Sequence, residues 1–429
     1  MTTPKPLSIA IVGGGISGLC LAIGLLNHSH IKVTIFESSL AFSEIGAGLA
    51  LGPNAQRALA FLSPAAERAF TDYATGNSSP EFNKTWFNFV HQARGQQEIV
   101  TLGSIENQTG QQTVHRAKFL DALVRLVPQD IVQFGKRLVR VSEQGEQTVL
   151  RFADGTSAKS DCVIGADGVH SNIRKHLLGT GMPGATSVYS GIVAYRGLIP
   201  MEDAINILHK YALDAYLWCN NKGMVMSYPI DSGQVLNVVA AHYKTSWDGD
   251  TYVVDTKPAQ LMKEFESFGE MPQSIIKLLD APKAWALLDH LPAPKFYSKN
   301  VAVVGDAAHA TTPFQGAGAG QAIEDALVLS QLLGKVQCTD GVESALAAYD
   351  TIRRPRTEKI VRTSREAMKL YTVIDNTDDW KRAWEGRMNW IWDIDLASHV
   401  ADALRVFEQR HSDSCSTCVV DGPTRPNCT

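Results

Sequence analysis

The chain has 429 residues, 45% of them hydrophobic, enough to bury a large core and more than one simple domain usually needs, so two joined domains are expected. A formal net charge of -4 without long basic runs argues against nucleic acid or an anionic membrane surface as the main partner and leaves a small molecule. Seven cysteines, odd in number and scattered at 20, 162, 219, 338, 415, 418 and 428, do not read as a disulfide framework and point to an intracellular, cytoplasmic setting.

The first apolar stretch, Leu7 to Leu26, holds five glycines at turn spacing and follows no basic cluster, so neither a membrane span nor a signal peptide is expected. It reads instead as a strand (Leu7 to Val12), a glycine turn and a helix (Ser17 to Leu26). A second strand, Lys32 to Phe36, completes a βαβ unit of the kind that builds parallel sheets. In Gly13-x-Gly15-x-x-Gly18 the first glycine permits a tight turn, the second lets backbone approach a pyrophosphate, and the third lets helix and strand pack closely. Glu37, at the end of the second strand, suits ribose hydroxyls and repels a 2'-phosphate, so the site reads as an adenine-dinucleotide site that disfavours NADP.

Further along, Lys118 to Val127 has helical spacing, and Arg137 to Val141 with Val149 to Phe152 reads as a hairpin. Short strands at Cys162 to Ile164 and Val301 to Val304 lead into Ala166-Asp167-Gly168 and Gly305-Asp306-Ala307-Ala308-His309. Between them lie strand-like runs at Gly191 to Leu198, Asp214 to Cys219, Gly223 to Ile230 and Val235 to Tyr243. Turn signals separate the last three, which are expected to form an antiparallel meander. Period-2 alternation puts Arg196 on one face with Ile192, Ala194 and Leu198, and Tyr228 with Met224, Met226 and Ile230. A charge on an apolar face needs a partner, which can be a ligand or a protein carboxylate, and Tyr228 can equally be a core aromatic. A helix from Gly316-Ala-Gly318-Ala-Gly320 to Leu333 follows. The basic run Val342 to Tyr371 reads as a solvated helix, and a segment with Trp380, Trp384, Trp390 and Trp392 is expected to pack down before the chain frays near Arg410. Cys415-x-x-Cys418 has metal-like spacing, but its polar surroundings favour a terminal tail, and no metal site is expected.

Together, Glu44-Ile-Gly46-Ala-Gly48, His115-Arg116, Gly165-Ala-Asp167-Gly168-Val-His-Ser171-x-x-Arg174 and Gly305-Asp306-Ala-Ala-His309-x-x-x-Pro313-x-x-Gly316-x-Gly318 resemble the group A FAD-dependent aromatic monooxygenases, and among them the salicylate hydroxylase-like and fungal polyketide phenol hydroxylases. The resemblance covers about residues 7 to 370 and implies an α/β fold: a glutathione-reductase-type, Rossmann-like FAD domain carrying an inserted, mostly antiparallel β substrate domain, with a helical C-terminal segment. It implies FAD domain parts at 1–75, 111–185 and 285–371, substrate domain parts at 76–110 and 186–284, and a C-terminal segment at 372–429. FAD would be held by Gly13, Gly15, Gly18, Glu37, Gly48, Arg116, Asp167, Asp306, Pro313, Gly316, Gly318 and Ala319, with Asp306 on the ribityl chain and the following helix start at the flavin pyrimidine edge. For Arg116 an exposed surface role, and for Asp167 and Asp306 ordinary turn roles, stay open.

The activity implied is hydroxylation of a phenolic ring: NAD(P)H reduces FAD, O2 adds, and a flavin hydroperoxide delivers one oxygen. Arg196 would anchor the phenolate and Tyr228 would orient it, since Arg stabilises the anion that this chemistry favours. No second nucleotide-binding glycine turn is visible, in keeping with a transiently bound nicotinamide cofactor. Alternatives are an epoxidase acting on a non-phenolic substrate, an NAD(P)H:flavin oxidoreductase without oxygen insertion, and a dinucleotide-binding module without turnover.

Overall fold

The computed structural model describes residues 5–42, 47–372 and 377–418, with the side chains of 377 and 413–418 left aside. Glu44, Ile45 and Gly46, and the cysteine at 428, lie outside the described residues, as do the side chains of Cys415 and Cys418. Two large sheets organise it. The first has six strands in the order Tyr297–Ser298, Val301–Val303, Cys162–Gly165, Leu7–Val12, Ile31–Phe36 and Val132–Gln133, all parallel except for the first pair. Its central strand is buried almost throughout because helices cover it: Ile16–Leu25 packs on Gly318–Leu333, and both belong to one apolar core with Ile9, Ile11 and Ile164. The strand, turn, helix and second strand expected at 7–37 are therefore all present.

The second sheet has eight strands in the order Val253–Asp255, Lys283–Asp289, Val188–Pro200, Val235–Tyr243, Gly223–Ile230, Tyr216–Asn220, Thr85–His91 and Val100–Glu106. Six of its seven pairings are antiparallel and one, Tyr216–Asn220 with Thr85–His91, is parallel. The expected meander of three strands is seen in register, Ser227 opposite Tyr216 and Val238 opposite Ser227. Gly223–Ile230 is buried on both faces, yet period 2 still sorts it: Met224, Met226 and Tyr228 join one apolar cluster, Val225 the other. The first cluster faces the six-stranded half of the molecule; the second is capped by Phe265, Phe268 and Ile275 from the helical stretch at 258–277.

Two expectations need correction. The Val342–Thr372 helix is not a solvated one: of its basic residues Arg353 is 0% exposed, Arg354, Arg356 and Arg365 are ion-paired, and Lys359, Arg362 and Lys369 are exposed. Acids on neighbouring elements, Glu324, Asp325 and Asp289, meet these cations, which no count of charges along a single helix can show. The chain also does not fray near Arg410, because the Leu396–Cys418 helix continues past it. Trp380, Trp384 and Trp392 are buried, as expected of that segment.

Cys20, Cys162 and Cys219 are buried thiols and Cys338 is exposed. Burial pushes Cys20 up to about 12 and the other two higher still. No helix among the described residues is long and apolar enough to cross a membrane, and no group of metal-ligating side chains is found among them.

Candidate active site

Between the two sheets runs a cavity of about 920 Å³. One end is built by the glycine turn. Gly13 has φ +109°, and a methyl there would stand 2.2 Å from the Ala166 carbonyl oxygen, so only glycine fits the turn against the neighbouring strand end. Gly18 passes so close to Gly13 that a methyl would meet its carbonyl oxygen at 2.0 Å, whereas a methyl on Gly15 would meet nothing within 4 Å. Backbone at Gly15 is thus open to the cavity. Glu37 stands beside it, accepting from Gly14 N–H at 2.7 Å and Ser39 N–H at 2.8 Å.

In the middle, Asp306 opens its carboxylate to the cavity and Pro313 begins a single turn ending at Gly316, whose φ of +61° is left-handed. The Gly318–Leu333 helix then starts at the wall with Gly318 and Ala319. Neither this helix nor Ile16–Leu25 has a side-chain cap or an acid in its first turn, so both N-termini offer free N–H groups and partial positive charge to the same space. Asp167 lines the cavity, but its carboxylate accepts from the N–H groups of Asn172 at 2.7 Å and Ile173 at 3.2 Å and so caps its own helix. Gly48 and Arg116 come from the short ladder of Gly48–Ala50 with Thr113–His115 and the helix that follows it, and both reach the wall.

The far end is apolar. Trp86, Phe87 and Phe89 come from the Thr85–His91 strand, Tyr371 from the end of the Val342–Thr372 helix, and Trp384 and Met388 from the C-terminal part. Tyr371 stacks on Trp384 at 5.2 Å between ring centres, and Phe89 lies 5.4 Å from Trp384. Into this cage project Arg196 and Tyr228, which the structure brings together as their strands' alternation requires. Arg196 borders the cavity and is half-buried by accessible surface, yet protein surrounds it closely enough that desolvation lowers its pKa; Tyr228 opposes that shift and Arg116 adds to it. Its guanidinium lies over the Trp285 ring at 5.6 Å, and its buried Nε has no hydrogen-bond partner. No carboxylate pairs with it among the described residues, and the acids of the cavity, Glu37, Asp167 and Asp306, belong to the other segments. Burial raises the Tyr228 hydroxyl, and Arg196 and Asn237 pull it back.

Several residues of the site were not marked by sequence reasoning. Asn237, Trp285, Tyr371, Trp384 and the aromatic run of Thr85–His91 all line the cavity. For Asn237 a signal existed: it shares strand parity with Val239 and Ala241, the same pattern that singles out Arg196. Behind the site lies a buried ionic cluster. Arg353 donates to Asp325 at 2.8 Å and to Glu324, Arg356 donates to Glu324 at 2.8 and 2.9 Å, and Asp325 also accepts from Gly305 N–H at 2.9 Å. His309 bonds Asp325 and is buried, which removes it from any role as a base at the cavity.

Two uncapped helix starts, an open glycine turn and an elongated cavity fit a flavin adenine dinucleotide: phosphates need N–H donors, ribose and ribityl hydroxyls need acceptors such as Glu37 and Asp306, and an isoalloxazine needs an apolar end. Comparisons with known proteins agree. A family model described as FAD binding domain matches residues 7–364. The chain is 52% identical over 417 residues to 6-methylsalicylate 1-monooxygenase of Aspergillus terreus, covering 95% of this chain and 94% of that one. It is 36% identical over 416 residues to a salicylate hydroxylase of Pseudomonas putida, covering 92% and 94%. A solved salicylate hydroxylase in complex with substrate superposes with a TM-score of 0.82 at 32% identity over 93% of this chain and 98% of that one. These relatives favour ring hydroxylation over the epoxidase and flavin-reductase alternatives. With the fold, the cofactor cradle and the relatives in agreement, the chain belongs to the FAD-binding-domain family and, within it, to the salicylate hydroxylase-like FAD-dependent aromatic monooxygenases.

Proposed function

We propose that the substrate is an anionic phenol, a 2-hydroxybenzoate with a small apolar substituent, hydroxylated with NAD(P)H and O2. The observation that carries this is Arg196: a cation enclosed by protein, with no carboxylate partner among the described residues and an unused buried donor, facing an aromatic cage. Such a charge calls for an anion from outside the chain. The relative named for 6-methylsalicylate supports a small substituted 2-hydroxybenzoate, and the apolar wall supports an alkyl group on the ring. We further propose that FAD contacts run along Gly13, Gly15, Gly18, Glu37, Gly48, Arg116, Asp306, Pro313, Gly316, Gly318 and Ala319, with Asp167 acting through its helix cap. The domain partition given above is proposed with them.

FAD, when bound and reduced, supplies the activated oxygen. Arg196 lowers the pKa of the bound phenol by stabilising its anion, which makes the ring a better nucleophile. Tyr228 donates to the phenolic oxygen and fixes the ring's orientation. Trp86, Phe87, Phe89, Tyr371 and Trp384 exclude water from the reacting centre, and the start of Gly318–Leu333 favours negative charge beside it.

The test is aerobic NADH and NADPH consumption by the FAD-loaded enzyme with salicylate, methyl-substituted 2-hydroxybenzoates, resorcylic acids and orcinol-type phenols, with product masses read in the same tubes. The expected outcome is stimulation by a 2-hydroxybenzoate and gain of one oxygen, with or without loss of the carboxyl group. An Arg196→Ala variant is expected to lose about 10²-fold or more in kcat/KM. Equal stimulation by neutral phenols, or an Arg196→Ala variant with wild-type kinetics, would overturn the reading.

A further inference from the structure

Asn237 lies in the Val235–Tyr243 strand at 1% exposure, paired across the sheet with Tyr228 on one side and Leu198 on the other. Which way its amide points follows from one contact. Gly48 N–H can only donate and reaches the amide at 2.7 Å, so the atom there is Oδ1 and the NH2 end is turned away from Gly48. That NH2 is buried without an acceptor of good geometry. Tyr228 stands beside it: a carbon added to Gly48 would meet Tyr228 Oη at 2.7 Å and Asn237 Cγ at 2.8 Å, so both side chains close on the same point. Leaving a buried amide donor unused is costly, and Tyr228, whose hydroxyl Asn237 pulls down and which closes on the same point, is the neighbour able to accept from it.

We propose that Asn237 is a positioning residue that sets the direction of the Tyr228 hydroxyl. Its NH2 donates to the Tyr228 oxygen, so the Tyr228 proton is turned away from the strand and presented to the phenolic oxygen of the substrate. The short strand Gly48–Ala50 thereby acts on the substrate side of the cavity: its N–H holds the amide, the amide orients the hydroxyl, and the hydroxyl meets the ligand. The inference rests on the phenolate reading above.

The experiment uses the full-length, FAD-loaded enzyme and 2-hydroxy-5-nitrobenzoate, whose phenolate alone adds visible absorbance, titrated by difference spectra to give the phenol pKa in the complex. Asn237→Ala is expected to raise that pKa by about one pH unit, a tenfold loss of acidity, in the wild-type background and to change nothing further in Tyr228→Phe. Asn237→Asp, which keeps an acceptor for Gly48 N–H but lacks the NH2, is expected to raise it at least as far while FAD affinity, read by flavin fluorescence, stays at the wild-type value. An equal rise in both backgrounds, or no rise with either variant, overturns the role of Asn237 and leaves the phenolate reading standing. A wild-type enzyme that binds the probe as the neutral phenol overturns both.

Discussion

At the scale of single residues, the site depends on positions where only one side chain satisfies geometry and chemistry together. Gly13 is such a position, since its positive φ and its contact with the Ala166 carbonyl exclude a methyl for separate reasons. Gly13→Ala is expected to cost at least about 1–3 kcal/mol from backbone strain alone and to displace the adjoining strand end. The purified variant should therefore carry little FAD and melt several degrees lower, and a variant with full flavin content would refute this account of the turn. Residues of this sort were legible in the sequence because their signals are local: a glycine spacing, or a charge on one face of one strand. Asn237 obeys the same strand logic as Arg196, but an amide is a common strand residue and its partner, Gly48, is 189 positions away. Long-range hydrogen bonds of this kind leave no local trace.

At the scale of elements, the Val342–Thr372 helix shows where sequence reading fails for a physical reason. Arg353 and Arg356 belong to a buried cluster with Glu324 and Asp325 that ties this helix to Gly318–Leu333 and, through the Arg356 bonds to the carbonyls of Trp390 and Ile391, to the C-terminal part. Arg353→Met leaves two carboxylates short of a partner and is expected to cost about 3–5 kcal/mol. Burial pushes Glu324 up, but Arg353 and Arg356 overcome it and hold the carboxyl at about 2, below its ordinary 4.5. Asp325, with His309 and Arg353 against its burial, is likewise held at about 2, below 3.8. Because both folded values are depressed, the stabilisation is complete above about pH 4.5 and is lost as pH falls through about 2. The difference in melting temperature between wild type and Arg353→Met should therefore be large near neutrality and shrink between pH 4.5 and 2; a difference constant across that window would show that these carboxylates are not what Arg353 serves.

At the scale of the whole molecule, a helix-covered, mostly parallel sheet supplies the cofactor cradle, a mostly antiparallel sheet supplies Arg196 and Tyr228, and the C-terminal part closes the apolar end with Trp384 and Met388. The βαβ unit, the meander and the order of the elements could be read from the chain, since each rests on periodicity and turns. The closure could not: four tryptophans announce burial but not against what, and the stretch at 76–110 carries its cavity aromatics on a strand with no motif to mark it. Trp384→Ala removes a ring stacked on Tyr371 and packed on Phe89. Water should then reach the reacting centre, so product formed per NAD(P)H oxidised should fall and hydrogen peroxide should rise in proportion. Unchanged coupling would mean that other residues keep the pocket dry.

The three buried thiols bear on how such a catalyst ages. Cys20, Cys162 and Cys219 are held protonated by burial, and a protonated thiol is a poor target for peroxide. Met226 and Met388 instead stand at the cavity wall, so peroxide released there would meet their sulfurs before the buried thiols. Sulfoxidation there would turn part of an apolar wall polar, so wear from the enzyme's own side reaction should surface as lost selectivity for the ring before it surfaces as an unfolded protein.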